Sequence, residues 1–310
     1  MAEQKPTITI GLPVYNGEKF LKKRLENILS QTYSDFELII SDNDSTDDTS
    51  KICNEFLKND KRIKYFRQNA NIGGILNYTF VLNKAITKYF VFATADDMWS
   101  ETFLFENIKI LNENSSAVGS IGKIEWVDDN LNQKKIKVNT TLFHNFYKKI
   151  QSLYGRYGSF SIMDETYEKR AIKYLKKLIR HDPSNVLYSI FRTESLQKSI
   201  SSKIHTDEFY SSFWNNVCLN VLEYGNICLS DNNQIYYYAG GSGAGVTPIT
   251  QYKKGQITLT QCIFPWSSQI SWCIHKFGLN FFSKYFIIFL KLFLQGELTF
   301  IYSIYRYLKK

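Results

Sequence analysis

Phe36-Glu37-Leu38-Ile39-Ile40-Ser41-Asp42-Asn43-Asp44-Ser45-Thr46-Asp47-Asp48 is an aliphatic run that stops abruptly in an acidic loop. The run predicts a buried strand, and residues 49–57 predict a helix capped by Ser45 or Thr46. Upstream, residues 7–12 form a β-branched run ended by Pro13, and Asn16-Gly17-Glu18 opens an amphipathic helix with Phe20, Leu21, Leu25, Ile28 and Leu29 at helical spacing. Downstream come a third strand (Ile63-Lys64-Tyr65-Phe66), the loop Asn69-Ala70-Asn71-Ile72-Gly73-Gly74 and a helix over residues 76–85. A fourth strand, Tyr89-Phe90-Val91-Phe92-Ala93, stops at Asp96-Asp97. Strand and helix thus alternate four times, which predicts a mostly parallel α/β sheet with crossover helices. Ligands in such sheets sit outside the carboxyl ends of the strands, where these polar clusters fall.

Beyond residue 117 the pattern loosens. Residues 118–127 and 235–238 read as strands, and residues 167–179 and 209–224 as helices. Glycine-rich residues 240–245 follow, and there is no internal repeat. The 310 residues are 44% hydrophobic and 16% aromatic, the composition of a chain with a real core. The net charge of +9 is unevenly placed: residues 246–310 carry eight Lys or Arg against Glu297 alone, leaving about +2 for the rest. These cations are interleaved with Phe, Tyr and Trp, which points to an anionic membrane surface and away from nucleic acid. No run in the tail reaches 18 apolar residues without a charge, so helices lying at the interface are expected rather than a span. The division expected is an α/β unit over 1–245 (halves of about 1–115 and 116–245) and a basic, aromatic helical tail over 246–310.

Five cysteines without C-x-x-C spacing predict reduced thiols, and the polar start predicts no secretion signal. The expected location is therefore cytoplasmic, peripheral at the inner membrane face. His144, His181 and His275 read as surface or core groups, and Trp126, Trp214, Trp266 and Trp272 as packing residues.

The sharpest chemical feature is Asp96-Asp97. Two adjacent carboxylates at a strand end repel unless a cation neutralises them, and hard oxygen ligands suit Mg²⁺ or Mn²⁺ bridging to a diphosphate. The same pair also reads as the N-cap of a following helix. Asp42 reads either as an acceptor for a base or ribose or as a solvated turn. Asn71-Ile72-Gly73-Gly74 reads as a close backbone approach to a ligand or as a plain turn. No Walker loop, G-x-S-x-G, H-E-x-x-H or G-x-G-x-x-G is present, which removes several enzyme classes.

Together these loops resemble glycosyltransferase family 2. The resemblance rests on residues 9–21, on residues 31–49, on Asn69-Ala70-Asn71-Ile72-Gly73 and on Tyr89-Phe90-Val91-Phe92-Ala93-Thr94-Ala95-Asp96-Asp97-Met98-Trp99, and it fades past residue 245. It implies a GT-A fold and inverting transfer from a nucleoside-diphosphate sugar, most readily a UDP-sugar. By motif, Pro13, Tyr15, Asn16 and Glu18 would line the nucleotide pocket and Asp42 would meet the base. Asn71 and Gly73 would lie near the nucleotide or diphosphate. Asp96 would hold the divalent cation, with Asp97 assisting or contacting the sugar. Thr94 departs from the family, many of whose members carry a carboxylate there.

The resemblance also implies an acid ahead of a helix in the second half. His205-Thr206-Asp207-Glu208 is the matching stretch, with Asp207 the expected general base and Glu208 its alternative. The Q-x-x-R-W motif of processive synthases is missing, so single-sugar transfer to a glycan or lipid-linked acceptor is expected. Two rivals are a sugar nucleotidyltransferase, which would need a basic glycine-rich loop after strand one, and a non-catalytic membrane-binding protein with a degenerate pocket.

Overall fold

The computed structural model describes residues 5–128, 160–178, 183–201, 210–238, 252–253, 255, 258–264 and 266–308. Among the described residues eight strands make one sheet: β1 Ile8–Val14, β2 Phe36–Asp42, β3 Ile63–Arg67, β4 Tyr89–Phe92, β5 Met98–Trp99, β6 Ala117–Val127, β7 Ile190–Arg192 and β8 Asn226–Tyr238. Their order across the sheet is β3-β2-β1-β4-β7-β6-β8-β5. The first four run parallel, in register Leu38 with Ile10 and Ile63, and Val91 with Ile10. Crossover helices α1 (Glu18–Leu29), α2 (Thr49–Asn59) and α3 (Gly74–Lys84) connect them, as the alternation predicts.

The second half is mixed. Short β7 lies antiparallel to both β4 and β6, and β6 runs parallel to β8. Two reversals restore direction, so β6 and β8 point the same way as β1, β2 and β4. Helices α4 (Phe103–Glu113), α5 (Tyr167–Leu178), α6 (Thr193–Ser201) and α7 (Tyr210–Val221) flank this half. The C-terminal helices are α8 (Leu259–Ile263), α9 (Ser267–Phe277), α10 (Leu279–Lys284) and α11 (Phe286–Leu308). Strand β8 begins nine residues earlier than the run at 235–238 announces, and β5, α4, β7 and α6 have no counterpart in the sequence reading.

β1, β2 and β4 are buried along their whole lengths, which is why they lack polar–apolar alternation. The polar side chains they do carry are paired. Thr9 Oγ1 donates to Glu37 Oε1 at 2.6 Å, and Glu37 Oε2 accepts from Lys64 Nζ at 2.6 Å. Helix α3 packs onto β1 at Gly11, where a Cβ would stand 2.6 Å from Phe90 Cζ and 2.8 Å from Val81 Cγ2. Gly11→Ala is therefore expected to cost about 1–3 kcal/mol by overpacking. Urea denaturation checks this, and an unchanged midpoint would show that the helix slides away freely.

Candidate active site

Because β1, β2, β4, β6 and β8 point the same way, their carboxyl ends share one edge of the sheet, and the acidic pair lies on it. Strand β5 follows immediately, and helix α4 starts only at Phe103 with Thr102 as its N-cap. Asp96-Asp97 therefore does not cap a helix. Asp97 is buried, whereas Asp96 is half-buried. Asp97 Oδ2 accepts from Thr94 Oγ1 at 2.7 Å and its Oδ1 from the Tyr238 amide at 3.2 Å, tying the β4 loop to the end of β8. The Tyr188 hydroxyl, from the 3₁₀ turn Pro183–Tyr188, also bonds the Asp97 carboxylate. Thr94, where the family often carries a carboxylate, thus acts as a donor that fixes Asp97.

Beneath this loop lies Arg24 of α1, fully buried. Its Nε donates to the Thr94 carbonyl at 3.0 Å, its Nη1 to Asn27 Oδ1 at 2.8 Å, and its guanidinium lies 4.0 Å from the Trp99 ring centroid. Its Nη2 is buried without a hydrogen-bond partner. Asn27 in turn brackets Trp99, accepting from its amide at 2.9 Å and donating to its carbonyl at 2.8 Å. Burial lowers the Arg24 pKa to about 10, partly offset by Asp97 and Asp96, so the group stays cationic at neutral pH.

Burial, and then the neighbouring charge of Asp96, raise the Asp97 pKa to about 7, against the opposing pull of Thr94, Arg24 and Tyr188. The folded carboxyl keeps its proton up to about pH 7, while the unfolded one loses it near the ordinary aspartate value of 3.8. Between those values the folded state binds more protons, so stability falls as pH rises. Thermal denaturation of the metal-free protein across that window should show this decline, and Asp97→Asn should flatten it. A wild-type midpoint that rises through the window would contradict the assignment.

The neighbouring part of the edge is built by mutual bracing of the β1 and β2 loops. Pro13 is buried in β1, Tyr15 is half exposed, and Asn16 adopts a left-handed φ of 49°. The Asn16 amide donates to Ser45 Oγ and its Oδ1 accepts from the Thr46 amide, both at 2.9 Å. Glu18 and Asp47 exchange bonds with each other's helix starts: the Glu18 amide donates to Asp47 Oδ2 at 3.0 Å, and the Asp48 amide to Glu18 Oε2 at 2.9 Å. Asp42 is wholly buried, its oxygens accepting from the Ser45 amide and the Tyr65 hydroxyl, each at 2.8 Å, with Arg67 Nη1 at 3.8 Å. In this conformation Asp42 shapes the loop, and Asn43 makes the bridge to the next one.

Asn43 Nδ2 donates to Asn71 Oδ1, and Asn43 Oδ1 accepts from the Ile72 amide, both at 2.9 Å. Asn71 Oδ1 also accepts from the Gly73 amide at 2.9 Å. Gly73 has a φ of 83° and no atom within 4 Å of where a Cβ would stand. Its backbone angle, not crowding, calls for glycine. It opens the exposed amino end of α3, an electrostatically favourable place for a phosphate.

Pro13, Tyr15, Asn16, Glu18, Asp42, Asn71, Gly73, Asp96 and Asp97 all lie on this edge, while Asp207 and Glu208 lie outside the described residues. Arg24, Tyr188, Asn43 and Tyr238 escaped the sequence reading. Only Arg24 left a signal there, a charge on the Leu21, Leu25, Ile28 stripe of α1. Among the described residues no three His, Cys, Asp or Glu side chains converge as a complete metal cage. What stands there is a carboxylate pair whose buried member is not fully compensated. That donor set fits a hard divalent cation taking its other ligands from a substrate diphosphate.

The β1, β2 and β4 loops and the acidic pair thus share one edge of the α/β sheet. Residues 9–173 match the family model for glycosyl transferase family 2. An uncharacterized glycosyltransferase of Haemophilus influenzae is 30% identical over 223 residues, covering 67% of this chain and 86% of that protein. The putative teichuronic acid biosynthesis glycosyltransferase TuaG of Bacillus subtilis is 29% identical over 39% of this chain and 48% of its own length. Among solved structures, the Pyrobaculum calidifontis mannosyltransferase PcManGT, in complex with GDP-Man and Mn²⁺, has a TM-score of 0.57 at 13% identity, covering 98% of this chain and 75% of that one. Residues 1–349 of S. aureus TarS with UDP-GlcNAc give a TM-score of 0.54 at 18% identity, covering 80% and 64%. The chain belongs to glycosyl transferase family 2, with the GT-A fold, and is a nucleotide-sugar glycosyltransferase.

Proposed function

We propose that this chain moves a single hexosyl or N-acetylhexosaminyl unit from a nucleoside-diphosphate sugar, most readily a UDP-sugar, to a hydroxyl of a glycan or lipid-linked acceptor, with inversion. The observation that carries the proposal is the convergence of Asp96-Asp97, the β1 and β2 loops and the end of β8 on one sheet edge. Asp96 and Asp97 would hold Mn²⁺ or Mg²⁺, which supplies charge neutralisation for the departing diphosphate. Tyr15, Asn71 and Gly73 line the nucleotide side, where Asn16, Glu18 and Asp42 keep the loops in shape. Asp207, with Glu208 as alternative, takes the proton from the attacking hydroxyl. Both lie just ahead of α7, whose amino-terminal dipole favours an ionised carboxylate.

The acceptor is membrane-proximal. The net +7 of residues 246–310 and their aromatic content support peripheral attachment to an anionic, cytoplasm-facing leaflet. Among the described residues no helix is long and apolar enough to cross a membrane.

Thermal shift against a panel of nucleoside-diphosphate sugars, with and without Mn²⁺, tests the donor reading. A true donor at a hundred times its dissociation constant should stabilise by about 2.7 kcal/mol, and more weakly without the cation. A panel in which no sugar nucleotide moves the midpoint would overturn it.

A further inference from the structure

Apolar side chains on α11 face outward. Phe286, Ile287, Leu290, Phe293, Leu294 and Ile301 are all exposed, Ile287 by 67%. Their spacing of i, i+1, i+4, i+7, i+8 and i+15 is that of one helix stripe. The opposite side of the helix is already used, because Phe289 and Leu292 are buried and Phe289 stacks on Phe282 with ring centroids 4.9 Å apart. The outward stripe is thus a second apolar face, which the described residues leave exposed.

Beside it opens a groove of about 560 Å³ between α9 and α11, walled by Phe264, Trp266, Ile270, Ile274, Phe293 and Gly296. Its volume lies within the ordinary range for a ligand site, roughly 300–1,000 Å³. Trp266 Nε1 donates to Gln295 Oε1 at 2.7 Å, which ties the start of α9 to α11. Phe293 belongs to both the groove and the outward stripe, so the two surfaces are continuous. The polar side chains at the groove are Ser267, Ser271 and His275, which stand at its rim. Exposed Lys291 precedes Phe293 by two residues, in a segment whose single acid is Glu297.

An apolar slot beside an apolar stripe, in a segment that keeps a cationic excess after Lys276 and Lys284 pair with Glu223 and Glu168, matches a molecule with a hydrocarbon chain and an anionic head. We infer that the groove between α9 and α11 is a lipid-binding site that takes one acyl chain of an anionic lipid while the outward stripe of α11 rests in the same leaflet. This rests on the membrane-proximal reading and goes beyond it by naming a discrete site. Such a site would fix the orientation of the catalytic edge relative to the bilayer, which surface charge alone does not do.

The test uses the full chain, cis-parinaric acid as a fluorescent acyl probe, and vesicles of phosphatidylglycerol and phosphatidylcholine in equal parts or of phosphatidylcholine alone. Ser271→Trp and Ser267→Trp fill the groove from exposed rim positions that the core does not need. Ile287→Glu with Leu294→Glu breaks the stripe. The wild type should sediment with the anionic vesicles at low salt and bind the probe. Each groove variant should lose at least tenfold in probe affinity and still sediment, and the stripe variant should lose sedimentation. Unchanged probe affinity in both groove variants would overturn the lipid site while leaving membrane attachment standing. If the wild type ignores anionic vesicles, membrane attachment fails and the lipid site with it. A concentration-dependent dimer, abolished by the stripe variant and unaccompanied by vesicle binding, would instead assign the face to a second copy of the chain.

Discussion

Asp96→Ala is expected to lower turnover on the order of a thousandfold or more and to abolish Mn²⁺-dependent donor binding, while the fold survives. The magnitude follows if the variant loses the divalent cation that Asp96 would hold, since that cation would supply the positive charge balancing the departing diphosphate, a contribution worth roughly several kcal/mol in a dry site. The fold survives because the loop is held by other groups: Arg24 and Asn27 from below, and the Asp97 bond to the Tyr238 amide from the side. Losing the Asp96 charge also removes one cause of the raised Asp97 pKa, so the variant should be no less stable at neutral pH. Asp97→Ala should behave differently. It strips the Thr94 hydroxyl, the Tyr238 amide and the Tyr188 hydroxyl of their shared acceptor and leaves buried Arg24 with less compensating charge. Circular dichroism together with donor titration separates the two variants. An Asp96→Ala protein that binds donor with the wild-type cation response would remove Asp96 from the metal role.

Asp207→Asn should leave donor affinity intact and cut turnover about a hundredfold or more, the usual worth of a positioned general base. An inverting transfer needs its base on the acceptor side of the sugar, away from the diphosphate. Asp96-Asp97 are therefore poorly placed for that task. The segment ahead of α7 comes from the second half of the chain, and α7 itself packs on β4 through Trp214, 5.5 Å from the Phe92 ring. Single-turnover kinetics with saturating donor give the relevant rate. Wild-type turnover in Asp207→Asn would move the role to Glu208, and an unaffected Glu208→Gln would remove it from this segment altogether.

The first half of the fold was legible because each strand there is a short apolar run ending in a polar cluster, and each helix has a regular stripe. The second half was not. β5 has two residues and β7 three, too short to show a period, and their pairing with β8 and β4 joins positions more than a hundred residues apart in sequence. Long β8 passes through Ser230-Asp231-Asn232-Asn233, which reads as a turn. In the structure Asn233 is buried, donating to Ser230 Oγ at 2.6 Å and accepting from Asn107 Nδ2 at 3.2 Å.

The site was legible in outline and not in detail. Residue types placed the acidic pair on the correct edge, but which polar side chain faces inward depends on tertiary contacts. Asp42 and Asn43 are adjacent and similar in type, yet one is sealed beneath Tyr65 and Ser45 while the other reaches across to Asn71. Arg24 was visible as a charge on an apolar stripe, but its partner, the Thr94 carbonyl, is a backbone atom that no side-chain pattern marks. The outward stripe of α11 stayed hidden for the converse reason: an aromatic, aliphatic helix does not declare which of its apolar sides is covered.

If a divalent cation at Asp96-Asp97 joins this chain to a nucleoside diphosphate, a bound metal should stand between them. Crystals grown with UDP and Mn²⁺ test it most directly, through the anomalous signal of manganese. One strong peak is expected in contact with the Asp96 carboxylate and the diphosphate, with the uridine lying between the β1 and β2 loops. UDP bound on that edge with no manganese peak beside Asp96, or bound elsewhere on the protein, would contradict it.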